Sequence, residues 1–147
     1  MAYGMVITAE KIFVWNIDAH VGPGCPNRPE DVQLVQLGYY WMARNPKKAM
    51  TPQRKAAYSA VVPGSKYTGL PGDPLSVAIK VHQQERGGTQ DGKVSPVQPS
   101  GAYGEHIYML VSLSNNIKYT NFNVWPLLHK VPNCPAALAA ASRRTFD

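Results

Sequence analysis

Apolar positions recur at helical spacing most clearly between residues 27 and 43, where Val32, Val35, Tyr39 and Met42 share one face. Leu34, Leu37 and Trp41 widen that face until most of the helix needs cover, so this stretch is predicted to be the core helix. Its start is written in polar residues. Asn27 is expected to cap it, and Glu30, three residues on, to reach back and complete a capping box. Pro29 falls in the first turn, where a missing N–H has no helical partner to lose. Glu30 and Asp31 set negative charge at the positive end of the helix dipole. Asn45-Pro46 ends the helix, because proline disfavours helical geometry in the residue before it.

The rest of the chain alternates short apolar patterns with turn residues. Residues 4–16 are rich in β-branched and aromatic side chains and read as one or two strands, with Glu10-Lys11 as a break. A lone hairpin is marginal by itself, so it must dock on helices or pair with another chain. Thr51-Pro52 is a cap-and-first-turn pair that opens a short helix to about Val61. Asp73-Pro74 repeats the signature and opens a helix to about Arg86, with Leu75, Ala78, Ile79 and His82 on one face. Residues 87–104 are Gly-, Pro- and Ser-rich loop. A further helix is expected over Glu105–Asn116, with Ile107, Leu110, Val111 and Ser114 turned inward. Residues 118–133 read as irregular chain anchored by Tyr119, Phe122, Trp125 and Leu128, and Pro135 starts a last alanine-rich helix that frays near Arg143-Arg144.

At 147 residues the chain suits one domain, large enough to bury about 68–70% of its unfolded surface. Residues 1–20 supply strands, 21–117 the helical core and 118–147 an extension. No apolar run is long enough to span a membrane as a helix. The first residues lack a signal-peptide pattern, so the protein is expected to be made in the cytoplasm and either to stay there or to leave by a route that needs no such signal. Cys25 and Cys134 are too few for a zinc site. Free thiols are the favoured reading, with a Cys25–Cys134 disulfide the alternative in an oxidising compartment.

Charge is more informative in its distribution than in its total of +6. Residues 1–37 carry Lys11 and Arg28 against Glu10, Asp18, Glu30 and Asp31, whereas residues 38–70 carry Arg44, Lys47, Lys48, Arg54, Lys55 and Lys66 with no acid. Within this basic insertion (44–70), Lys47, Lys48, Arg54 and Lys55 are the candidate contacts for a polyanion or an acidic partner. The bland reading is a solvated linker kept soluble by its lysines. No nucleic-acid-binding motif accompanies these charges, so nucleic acid is not an expected partner.

Three fragments in order resemble the peptidoglycan-binding-like domain family. Asn27-Arg28-Pro29-Glu30-Asp31-Val32-Gln33-Leu34-Val35-Gln36-Leu37 is similar to the opening of that family's first helix. Ala78-Ile79-Lys80-Val81-His82-Gln83 falls where the family has alanine-isoleucine, two variable residues and phenylalanine-glutamine. Asp91-Gly92-Lys93-Val94-Ser95-Pro96 resembles the turn before its final helix. His82 in place of an aromatic and the long insertion are departures. The resemblance implies a mainly α fold: a small three-helix bundle, here with an N-terminal β-hairpin or strand pair and an irregular C-terminal tail ending in a short helix. It also implies recognition of wall glycan or stem peptide, and the variant resembles versions that accompany phage-tail or bacterial secretion machinery.

Read for chemistry, the motifs favour scaffold over ligand. Gln36 and Gln83 are expected to anchor loops, because a buried amide needs partners. Asp91-Gly92 suits a turn with positive φ, and His82 reads as a satisfied core histidine. Catalysis lacks a carboxylate pair, a zinc helix or a nucleophile with base and orienter. Cys25 with His20, and Glu105 with His106, are isolated pairs. No enzymatic activity and no cofactor are therefore expected. Two functional readings follow. The first is a structural or adaptor subunit of a phage virion or injection assembly, with other protein subunits as partners. The second is a peptidoglycan-binding module with a groove between the second and third main helices, lined by Gln83, Arg86, Tyr103 and Tyr108.

Overall fold

The computed structural model describes residues 1–8, 11–103 and 106–146; for Tyr103, His106 and Ile107 it describes the backbone alone. Strands β1 (Tyr3–Ile7) and β2 (Ile12–Asn16) pair antiparallel, with Tyr3 opposite Asn16 and Ile7 opposite Ile12. Five helices are described: α1 (Pro29–Arg44), α2 (Pro52–Ser59), α3 (Pro74–Arg86), α4 (Met109–Thr120) and α5 (Ala136–Phe146). A second antiparallel pair, β3 (Ala102–Tyr103) with β4 (His106–Ile107), precedes α4, and a 3₁₀ turn (Leu128–Lys130) precedes α5. The fold is mixed α and β, not the expected three-helix bundle.

Helix α1 is the hub. It packs most extensively on α4 and also on α2 and α5, while α3 packs mainly on α2. Val32, Leu34, Val35, Leu37, Tyr39 and Met42 are all buried and Trp41 is half-buried, so the apolar face read from the sequence is the one covered. Gly38 sets the spacing to α4, because a Cβ there would lie 2.7 Å from Leu113 Cβ. A three-helix bundle fails for a physical reason. The basic insertion is no surface loop: its helix α2 buries Tyr58, and Val61 just beyond it, in the common core, and α2 packs on both α1 and α3.

The caps are partly as expected. The Thr51 and Asp73 side chains accept the backbone N–H groups of Arg54 and Leu75, opening α2 and α3. The capping box at α1 does not form. Arg28 occupies the cap position without a side-chain bond. Asn27 instead takes a left-handed φ of 50° and bonds both the N–H and the carbonyl of Gly22, at 2.8 Å each. Glu30 is drawn away by Arg144 of α5 at 2.7 Å, so α5 does not fray at Arg143-Arg144 but continues to Phe146. Asp31 is fully buried and accepts the N–H of Ala19 at 3.2 Å.

The hairpin belongs to the core. Trp15 is fully buried, its backbone N–H donates to Ser114 Oγ at 3.1 Å and its indole N–H to the Pro126 carbonyl at 2.9 Å. The Asn16 amide bonds both the N–H and the carbonyl of Val97, at 2.8 and 2.9 Å. Phe13 meets Trp15, Trp125 and Phe146 at ring separations of 5.9, 6.3 and 6.0 Å. The strands are therefore anchored within the chain. Removing residues 1–16 would strip the core itself, not a detachable arm.

Candidate functional site

Helix α1 ends in a polar bracket. Arg44 lies over the Tyr40 ring at 3.5 Å and donates to the Tyr40 carbonyl at 2.9 Å. The Asn45 amide then donates to Asn116 Oδ1 at 3.0 Å, and its own oxygen accepts the Lys47 N–H at 3.1 Å. Asn116 is fixed in turn by donating to the Ser112 carbonyl one turn earlier in α4 at 2.8 Å. This chain of amides holds the segment after α1 beside α4.

The space between them is a cleft of about 470 Å³, into which Lys47, Lys48 and Arg86 face along with Asn45, Asn115 and Asn116. Ile7, Ala102 and Val111 add apolar wall. A hollow of about 440 Å³ adjoins it, sharing Asn45 and Lys47 and lined also by Tyr119 and Phe122. These two aromatic side chains are 63% and 72% exposed, and Lys118 stands 5.6 Å from the Tyr119 ring. Among the described lining residues of both spaces there is no carboxylate. The face is cationic, amide-rich and edged with aromatics.

A largely buried network joins α1, α2 and α3. Tyr39 and Tyr58 stack at 5.3 Å, and His82 stands edge-on to both. The Tyr39 hydroxyl contacts His82 Nδ1 at 3.0 Å, Tyr58 donates to Glu85 Oε2 at 3.1 Å, and Arg54 pairs with Glu85 Oε1 at 2.6 Å. Burial holds both tyrosines protonated by raising them above the ordinary range; Tyr58 is raised further by Glu85. Burial also pushes His82 down to about 3, helped by the cations Arg86, Lys48 and Arg54. His82 is the satisfied core histidine that its position predicted, 2% exposed and neutral.

The eight residues singled out in the sequence thus separate. Lys47, Lys48 and Arg86 come together, uniting one member of the expected groove with two of the expected polyanion contacts. Arg54 is spent on Glu85, with 19% and 25% of the two side chains exposed, and Lys55 is exposed on α2 outside the cleft lining. Gln83 is buried and is not among the described lining residues of these two spaces. Its amide accepts the Gly92 N–H at 2.9 Å and donates to Asp91 Oδ1 at 2.8 Å, anchoring the loop as expected. Gln36 does the same for Gly64 and Ser65. Asp91 accepts the Lys93 N–H, and Gly92 has the positive φ of 77° that the turn needs. Tyr108 is half-buried at the head of α4, packed on the core. The side chain of Tyr103 lies outside the described residues, as do the Glu10 of the strand break and the Glu105 beside His106.

The two serine–histidine contacts do not assemble a nucleophile. Ser142 is fully buried and ties His129 to α5 through the His129 N–H at 3.3 Å and Nδ1 at 2.8 Å. Ser95 meets His20 Nδ1 at 3.1 Å at the surface. Cys25 and Cys134 are free and half-buried; burial raises both thiols, Cys134 to about 12. Among the described residues no three His, Cys, Asp or Glu side chains group as metal ligands, and no helix is long and apolar enough to cross a membrane.

The sequence reading missed the aromatic edge because it placed α4 too early. The helix runs Met109–Thr120 where Glu105–Asn116 was expected, so Tyr119 belongs to the helix and not to an irregular tail. With Ile117 buried, a residue two places on points about 200° away, outward. The alternation Leu110, Leu113, Ile117 carries that signal. Tested against family models, curated proteins and solved structures, the chain matches none.

Proposed function

We propose that this protein is a non-catalytic structural or adaptor subunit of a phage virion or bacterial injection assembly, carried on a peptidoglycan-binding-like scaffold. The observation that carries the reading is the exposure of Tyr119 and Phe122 beside the cationic cleft. Large aromatics left in water at the edge of a polar, charged recess are the composition of an interface anchor with its rim. The polar groups nearby are spent on architecture: Asn45 and Asn116 brace each other, and Arg54 holds Glu85.

A second reading, a peptidoglycan-binding module that targets a partner to the wall, is favoured by one feature. Asn115 beside Tyr119 offers amide and aromatic surface suited to sugars and peptides, with lysines suited to stem-peptide carboxylates.

Fractionation separates the two. In the producing cell, the chain is expected in a particle of high mass, and Tyr119→Ala with Phe122→Ala is expected to release it as a small soluble species. The purified chain is not expected to sediment with sacculi. Sedimentation with sacculi, and no incorporation into any larger particle, would reverse the choice.

A further inference from the structure

The two edges of the hairpin are finished differently. On β2, the Trp15 N–H turns away from β1 and donates to Ser114 Oγ of α4 at 3.1 Å, so that edge is closed. In an antiparallel pair, opposed residues both point their backbone groups toward the other strand or both away from it, in alternation. Gly4 lies opposite Trp15 and Val6 opposite Phe13, so the N–H and carbonyl of Gly4 and Val6 point outward from β1. Thr8 keeps the alternation: its N–H reaches out to the Pro99 carbonyl at 3.0 Å and closes the far end of the edge. Ala2, 3% exposed, closes the near end. Between them, no group among the described residues accepts the N–H of Gly4 or Val6.

An open edge commonly carries a lysine, a proline or a bulge that keeps other strands away. β1 carries none of them: Tyr3-Gly4-Met5-Val6-Ile7 is uncharged and its register with β2 is unbroken. The strand also complements itself. Val6 is 52% exposed, a knob without cover. Gly4, on the same face, has no side chain, and the Phe13 ring occupies the place where its Cβ would stand. That leaves a flat aromatic floor beside the strand. Two copies of a chain with net charge +6 repel least where the meeting strands are uncharged.

We infer that the open edge of β1 is a self-association surface: the β1 of a second copy pairs with it antiparallel about a two-fold axis at Met5, joining two hairpins into one four-stranded sheet. Gly4 of each copy then faces Val6 of the other, and each of these pairs exchanges both of its N–H···O bonds, which leaves none of the outward groups over. Val6 of each copy comes to rest beside Gly4 of the other, against its Phe13 ring. A register shifted by two residues would set Val6 against buried Ala2, or Gly4 against Thr8, whose N–H is already given to Pro99. The knob and its floor on one strand select a second copy over a foreign segment. This inference does not rest on the adaptor reading, and its test needs only the purified chain.

Sedimentation equilibrium of the full chain from about 1 μM to about 1 mM covers the range of a small, exchanging interface. The mass is expected to rise from 16.1 kDa toward twice that value. Val6→Lys should hold it at the single-chain mass at every concentration with the thermal midpoint kept, because a lysine on an edge strand blocks pairing. Val62→Lys, at a site 60% exposed outside the hairpin, should dimerise as the parent does. Air oxidation reads the register, with the parent chain as the blank for Cys25 and Cys134. Met5→Cys meets its own copy at the axis, at a Cα spacing of about 4.5 Å that a disulfide bridges, and should lock the dimer. Thr8→Cys stands about 20 Å from its copy and should not.

A single-chain mass throughout overturns the inference. So does a dimer that Val6→Lys leaves intact, or one that Thr8→Cys locks and Met5→Cys does not. If Val6→Lys fails to fold, the two cysteine variants decide the matter. In the producing cell, benzoyl-phenylalanine at position 6 should give an adduct of two copies of this chain. An adduct with a different protein, and none with a second copy, gives the edge to another occupant and overturns the assignment.

Discussion

The Tyr39 hydroxyl sits 3.0 Å from Nδ1 of His82, and the pair joins the core helix to α3 in a space closed to water. The groups facing His82 are Tyr39 and Tyr58 on its ring and the cations Arg86, Lys48 and Arg54 nearby, with Glu85 held by Arg54. The folded chain therefore keeps His82 neutral down to a pKa of about 3, below the ordinary value of 6.5. Below that ordinary value the unfolded chain takes up a proton that the folded chain refuses. The stabilisation is whole above pH 6.5 and is lost progressively as pH falls toward 3. At pH 5 the loss from this group is about 2 kcal/mol. Urea unfolding at pH 7 and pH 5 measures it, and His82→Phe should flatten that part of the profile. An equal slope in the variant would assign the pH dependence elsewhere.

Val35 is 0% exposed at the middle of α1. Val35→Asp places an unpaired charge there and should cost on the order of 3–5 kcal/mol. A soluble variant with an unchanged thermal midpoint would contradict the burial of this face.

The basic insertion should divide under mutation. Arg54→Ser leaves Glu85 without its guanidinium partner in a partly covered site, and a loss of about 1–2 kcal/mol is expected, between the surface and buried cases. Lys47→Ser, Lys48→Ser and Lys55→Ser should each stay within about 0.5 kcal/mol. Equilibrium denaturation of the four single variants checks this. If Arg54→Ser were as silent as Lys55→Ser, the Arg54–Glu85 pair would not be holding α2 to α3.

Both thiols should titrate in denaturant without reductant, since neither cysteine is bonded. In the native protein Cys134 should react far more slowly with a disulfide reagent than Cys25, because burial pushes its thiol up to about 12. Two equal native rates, or no thiol at all in denaturant, would contradict the structure.

What the sequence made legible was local. The period of Val32, Val35, Tyr39 and Met42 and the Thr51-Pro52 and Asp73-Pro74 pairs each depend on neighbours within a few residues, and each formed as written. The glutamine anchors were legible because a buried amide must be satisfied, whatever satisfies it. The capping box at α1 was lost to distant competitors, Gly22 for Asn27 and Arg144 for Glu30, that no local pattern reveals. The helix inside the insertion was legible but its burial was not, because the charged composition hides the two residues that matter to packing, Tyr58 and Val61. The cleft was half legible. Its cations stood out, but the asparagines that brace it act across long chain separations, with Asn45 bonding to Asn116.

A partner is expected to dock where Phe122 and Lys47 share one hollow. The most direct measurement is site-specific photo-crosslinking in the producing cell, with benzoyl-phenylalanine at position 122 and, as a control, at position 55. The prediction is one discrete protein adduct from position 122, absent from position 55 and lost when Lys47 and Lys48 are both changed to serine. An adduct from position 122 that survives the double serine change, or one that forms from position 55 alone, would contradict it.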